Sequence, residues 1–144
     1  MIISTRNNNS QKTVLLTNFG DERIAVNNKY VTVDGKPTIP VMGELHYSRV
    51  PAERWDAELK KMKDGGIDVV ASYVFWIHHE EEQGTFDFSG NKNIRRFVEL
   101  CHENGLEFCL RIGPWAHGEC RNGGFPDWLY GLCGNTVRTI KEPF

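Results

Sequence analysis

A chain of 144 residues with 25% charged and 40% hydrophobic residues has the composition of a soluble globular protein and not of a disordered one. Its formal charge of −2, with no basic run longer than Lys60-Lys61, gives no footprint for a phosphate backbone, so nucleic acid is not an expected partner. No apolar stretch approaches the roughly 20 residues of a membrane-spanning helix, so no membrane span is expected.

Met1 to Thr13 is polar and does not read as a secretory leader, which leaves the compartment open. The oligomeric state is equally open. The first segment, 1–29, reads as an extension with an Asn-rich start at Asn7 to Ser10 and short strands over Val14–Leu16 and Arg23–Val26. Tyr30–Val33 and Thr38–Val41 then flank Asp34-Gly35, a pair suited to the positive φ angles of a tight hairpin.

From here strands and helices alternate. Val41–Tyr47 predicts a short buried strand with a polar end. Pro51 suits a helix start, Ala52, Trp55, Leu59 and Met62 recur on one face, and Gly65-Gly66 stop the helix. Ile67–Trp76 is apolar and β-branched almost throughout, as in a strand covered on both faces. A polar stretch from His78 leads past Asp87 and Ser89 to a helix whose expected face is Ile94, Phe97, Val98 and Cys101. Asn104-Gly105 ends it, Leu106–Ile112 predicts a third buried strand, and a Gly-rich loop over Gly113–Pro126 precedes a short amphipathic segment around Trp128.

Strands joined through helices imply parallel pairing and an α/β fold. Periodicity does not choose between a (β/α)₈ barrel and a small doubly wound sheet complete within the chain. A barrel needs about 250 residues, so on that reading 30–144 is a partial barrel domain ending after its third strand.

Both architectures bind ligands at the carboxyl ends of their strands. Those ends carry Glu44-Leu45-His46-Tyr47, Tyr73 through Glu80, and Arg111 through Glu119, a mixture of aromatics, carboxylates and imidazoles. Aromatic faces cover the apolar side of a sugar while the polar groups bond its hydroxyls. Trp76, Trp115 and Tyr73 could equally be core residues. No G-x-G-x-x-G or P-loop follows any strand, which argues against a nucleotide, and no cofactor is implied.

No metal site is expected. His78 and His79, read on an extended strand, point to opposite faces, and His117-Gly118-Glu119-Cys120 lacks the P-C-x-x-C that zinc deaminases need. Cys101, Cys109, Cys120 and Cys133 show no C-x-x-C spacing and read as free thiols, Cys101 and Cys109 as small buried hydrophobes. Glu81 and Glu82 read as a solvated turn. Glu44 and Glu119 could form a hydrolytic pair, and Arg49 or Arg111 could instead neutralise either one.

Several blocks resemble one family. Val33-Asp34-Gly35-Lys36-Pro37, Gly43-Glu44-Leu45-His46-Tyr47-Ser48-Arg49, Leu59-Lys60-Lys61-Met62-Lys63 and Gly65-Gly66-Ile67-Asp68 resemble the opening of glycoside hydrolase family 35, the β-galactosidase family. Trp55, Tyr73, Trp76, His79-Glu80, Gly84-Thr85-Phe86-Asp87-Phe88, Arg111, Gly113-Pro114, Glu119 and Gly123-Gly124-Phe125-Pro126-Asp127-Trp128-Leu129 belong to the same match, which runs in order along the chain. The resemblance implies a (β/α)₈ barrel, a carbohydrate substrate with a terminal β-linked galactose, and retaining hydrolysis. It implies Tyr73, His117, Gly118 and Glu119 as sugar contacts. The family's acid/base glutamate lies in an Asn-Glu block on the fourth strand and its nucleophile on the seventh. Neither block is present, so no catalytic residue is assigned within the chain, and the chain alone is expected to be inactive. A non-catalytic carbohydrate-binding or scaffold protein with a degenerate barrel is the alternative.

Departures from the family pattern concentrate at the strand ends. Its T-Y-x-P-W-N becomes Ser72-Tyr73-Val74-Phe75-Trp76-Ile77, and its C-A-E-W becomes His117-Gly118-Glu119-Cys120. Such changes at a pocket wall alter which sugar or linkage fits.

Overall fold

The computed structural model describes residues 15–17 and 23–133, so the Asn-rich start and much of the expected opening strand lie outside the described residues. The chain divides into two units, 1–39 and 40–144.

The first unit is an antiparallel sheet of β1 (Leu15–Thr17), β2 (Ile24–Asn27), β3 (Val31–Val33) and β4 (Lys36–Thr38), in that order. Asp34 and Gly35 both take positive φ, 50° and 73°, the conformation that a two-residue type I′ turn demands. That tight turn sets Val33 opposite Lys36 and Val31 opposite Thr38. The fourth strand therefore begins before Thr38 and stops there, earlier than the expected Thr38–Val41, and Pro40 has no N–H to continue a ladder.

The second unit holds three parallel strands, β5 (Met42–Glu44), β6 (Val69–Val74) and β7 (Glu107–Ile112), with β6 in the middle. Glu44 pairs with Ala71, and Tyr73 with Arg111. The helices are α1 (Trp55–Asp64), α2 (Trp76–His79), α3 (Ile94–Glu103) and α4 (Asp127–Cys133). α1 is entered through a 3-10 turn over Ala52–Arg54, and Pro51 precedes that turn. α3 begins at Asn93, whose side chain accepts from the Arg96 N–H at 3.0 Å, satisfying one of the donors a helix start leaves open.

One core fills the space between the sheet and these two longer helices. Tyr47, Trp55, Leu59, Val70, Phe97, Leu100, Cys101 and Leu106 are buried together. Trp55 anchors the chain entering α1, its Nε1 donating to the carbonyls of Tyr47 and Val50 at 3.1 and 2.9 Å. Leu100 replaces the expected Val98 on the buried face of α3, and Val98 is 37% exposed, because the helix is rotated to set Phe97 edge-on against both Trp55 and Phe108.

Two strand expectations need correction. The extended run ends at Val74, not Trp76, since α2 turns the chain through bonds from His78 N to Phe75 O and from Glu80 N to Trp76 O, each 3.0 Å. β7 is not a buried strand: Leu110 is 45% and Ile112 73% exposed. Among the described residues β7 pairs with β6 alone, and no element covers that end of it.

Candidate functional site

Side chains alternate across a strand, so with Val70 in the core against the helices, Ala71 and Tyr73 face the other way. Register then brings Glu44, Tyr73 and Arg111 onto that same face at the carboxyl ends of three neighbouring strands. Arg111 ties them together. Its guanidinium donates to Glu44 Oε1 and to the Tyr73 hydroxyl, and lies 3.6 Å above the Tyr73 ring. Tyr73 is buried to 7% exposure, while Glu44 stands in the open. Of the two arginines considered for neutralising the carboxylates, Arg111 pairs with Glu44, and Glu119 has no ion pair among the described residues.

His46 sits beside this trio. Its Nδ1 accepts from the Tyr73 backbone N–H at 3.3 Å, which puts the ring proton of the neutral form on Nε2, 3.8 Å from Glu44 Oε1. Burial holds its pKa below the usual histidine value, against the raising pull of Glu44.

Tyr47 and His79 form a separate buried pin. The Tyr47 hydroxyl bonds His79 Nε2, and His79 Nδ1 donates to the Asp87 carbonyl at 2.9 Å. Burial lowers the His79 pKa and pushes the Tyr47 phenol up. His78 turns elsewhere, its Nδ1 2.7 Å from Ser48 Oγ. The two neighbouring imidazoles thus serve different partners, although they lie on a helical turn and not on the extended strand expected. Glu80 is structural too, accepting from Trp76 Nε1 at 2.5 Å and from Gly84 N at 2.7 Å.

The third strand leads through a cis Gly113–Pro114 bond into the loop carrying the other expected contacts. His117 and Glu119 are exposed and Gly118 is half-buried. Glu119 takes φ 52°, unusual for a residue with a side chain. The His117 ring meets Trp115 edge-on at 5.9 Å. Trp115 itself packs with Trp76 and Trp128 around Phe125 and Leu129, so these indoles belong to an aromatic cluster. Gly118 lies against Phe75, and its carbonyl accepts from Arg49. An open cleft of about 620 Å³ follows, lined by Arg49, His78, Glu119 and Cys120 among others.

Tyr73 and the 117–119 loop therefore stand at the carboxyl ends of adjacent strands, Tyr73 touching Gly118 through Phe75. Cys101, Cys109 and Cys120 are free, and burial pushes the Cys101 thiol up to about 12. Cys109 is only half-buried, unlike the expectation for it. Arg111 and Arg49 fall within the blocks that resemble the family, but the sequence offers them only as ion-pair partners and not as site residues. The available signal was a cation at a strand end facing an aromatic residue.

Comparison with known proteins bears on this arrangement. A profile described as Glycosyl hydrolases family 35 matches residues 30–144. The chain belongs to this family. Beta-galactosidase 8 of Arabidopsis thaliana is 40% identical over 121 residues, covering 84% of this chain and 14% of its own length. Beta-galactosidase 6 of Oryza sativa subsp. japonica matches with the same identity and the same shares. The chain thus spans about 14% of the length of these curated relatives. Among solved structures, the crystal structure of beta-galactosidase from the psychrophilic Marinomonas ef1 is similar, with a TM-score of 0.54 and 19% identity over 65% of this chain and 13% of that one. This last likeness concerns the fold alone, and its partner is again a glycoside hydrolase.

Proposed function

We propose that this family 35 chain is the opening part of a (β/α)₈ barrel in a retaining, exo-acting β-galactosidase. The family-matched residues 30–144 would supply the first three β/α units, from the strand at Met42 onward after the short antiparallel strands, with the remaining units in the rest of the full-length protein. The 14% share of the curated relatives supports that view.

In this reading Tyr73, His117, Gly118 and Glu119 contact the galactose, Glu119 accepting bonds from ring hydroxyls. The observation that supports it is the packing at the sheet's carboxyl edge: Tyr73, held by Arg111, lies with Phe75 against Gly118 of the loop that carries Glu119 into an open cleft. Glu44 is tied to Arg111 and is a binding or orienting group, not a catalytic one. The acid/base and nucleophile would be two glutamates on later strands, about 5–5.5 Å apart as retention requires. One attacks the anomeric carbon while the other protonates the leaving oxygen, then deprotonates the water that releases galactose. No cofactor takes part.

The test is hydrolysis of nitrophenyl β-galactoside by this chain and by the full-length protein, side by side. Activity in the full-length protein only is expected. A full-length protein that binds β-galactosides without cleaving any simple β-glycoside would replace the hydrolase with a sugar-binding barrel, and activity in the chain alone would overturn the assignment of the catalytic groups.

A further inference from the structure

The departures from the family pattern form one connected feature. Phe75, where the pattern has Pro, is fully buried and carries the Arg49 guanidinium over its ring at 4.8 Å. Gly118, where the pattern has Ala, is required by that ring, since a Cβ there would fall 2.7 Å from Phe75 Cζ. Gly118 in turn offers the carbonyl to which Arg49 donates. Phe75 and Gly118 together hold the Arg49 cation at the wall of the cleft.

Ile77 and Cys120 line that cleft where the pattern has Asn and the bulkier Trp. Charge accounting singles out Arg49. Asp127 is matched by Arg121 at 2.7 Å and Glu81 by Lys92 at 2.8 Å. Arg49 and Glu119 share the cleft and form no ion pair among the described residues. Burial, the largest cause of its lowered pKa, disfavours the charged form of His78, which leaves Arg49 as the cation of that wall.

We propose that this cleft binds the carboxylate of an acidic sugar unit linked to the galactose, with Arg49 as the anchor. This rests on the β-galactosidase reading. A planar guanidinium fixed on an aromatic face retains N–H donors in the fork geometry that suits a carboxylate, whereas Glu119 accepts the hydroxyls of the neighbouring galactose. The substrate class is then a β-galactosyl uronic acid, and Arg49, Phe75, Gly118 and Cys120 set that preference.

Two disaccharides that differ at one carbon provide the test: β-galactosyl-(1→4)-glucuronic acid and lactose. Competition with nitrophenyl β-galactoside hydrolysis by the full-length protein gives each a constant, and titration calorimetry gives both if the protein does not hydrolyse the nitrophenyl sugar. The acidic disaccharide is expected to bind about tenfold or more tighter at low salt, as one charged hydrogen-bonded contact allows. The ratio should shrink as salt is raised, fall close to one in Arg49→Gln, and be partly restored in Arg49→Lys. Cys120→Trp, which refills the cleft with Arg49 intact, should also lower it. A ratio near one in the unaltered protein, or a ratio indifferent to Arg49→Gln, overturns the acidic subsite. If nitrophenyl β-galactoside is still cleaved, the β-galactosidase reading survives that result.

Discussion

Gly118 and Phe75 occupy one another's space: a Cβ on Gly118 would lie 2.7 and 2.9 Å from two carbons of the Phe75 ring and 3.2 Å from Tyr73 Cδ2. Phe75 is fully buried and cannot swing away. Gly118→Ala is therefore an overpacking change and should cost about 1–3 kcal/mol, read as a lowered urea midpoint. Pairing it with Phe75→Leu should recover part of the loss, because the offending ring atoms are gone. Additive losses in the double variant would contradict the contact.

Arg111 reaches the Tyr73 hydroxyl and the Glu44 carboxylate at once. Both partners of the Glu44 pair are well exposed, so breaking it should move stability by less than about 1 kcal/mol. The effect on binding should be larger, because Tyr73 loses its orienting donor. If Tyr73 contacts the sugar as proposed, Arg111→Gln is expected to raise the KM for nitrophenyl β-galactoside about tenfold in the full-length protein, on the scale of one charged hydrogen bond. Tyr73→Phe in that background should add little, and full additivity would mean the two act independently.

Much of this arrangement is legible in the sequence, and what is not has a physical reason. The parallel core strands, α1 and α3 follow from apolar runs and helical spacing that local chemistry enforces. Tyr73 falls at a strand end by simple alternation. α2 is illegible, because Trp76 and Ile77 continue an apolar run, and only the backbone bonds to Phe75 and Trp76 turn it. Val98 and Leu100 differ by half a helical turn, a rotation fixed by the rings of Trp55 and Phe108. Tyr47 and His79 lie far apart in the chain and meet through folding alone. His117, Gly118 and Glu119 sit in a loop with no periodicity, so only the family resemblance points to them.

Glu80 shows how a residue that invites a functional reading can hold structure. It is 5% exposed, its carboxylate accepts from Trp76 and Gly84, and its carbonyl accepts from Trp128 Nε1 at 3.0 Å. Glu80→Ala leaves the Trp76 and Gly84 donors without that acceptor and should cost about 1–3 kcal/mol for each that stays buried and unpaired. Glu80→Gln keeps one carbonyl oxygen and should cost less. Thermal unfolding followed by tryptophan fluorescence reports both, and an Ala variant as stable as the parent would show that water replaces the carboxylate.

Acid should loosen this unit before its carboxylates titrate. His46, His78 and His79 all have pKa values lowered from 6.5, with burial the largest cause in each. A group whose folded pKa lies below its unfolded value binds its proton first in the unfolded chain. The stability it contributes is complete above about pH 6.5 and is lost as pH falls from there toward the folded values. For His79 the structural cost is explicit: the neutral ring accepts from Tyr47 and donates to the Asp87 carbonyl, and protonation removes the only acceptor. The slope can reach about 1.4 kcal/mol per pH unit for each proton taken up on unfolding. Asp87, held at about 2 by bonds from Ser89 and Lys92, contributes nothing in this window. The melting temperature should fall between pH 6.5 and 5, and His79→Gln, which can still accept from Tyr47, should flatten the fall. A melting temperature unchanged from pH 7 to pH 5 would mean that the three imidazoles are as hydrated folded as unfolded.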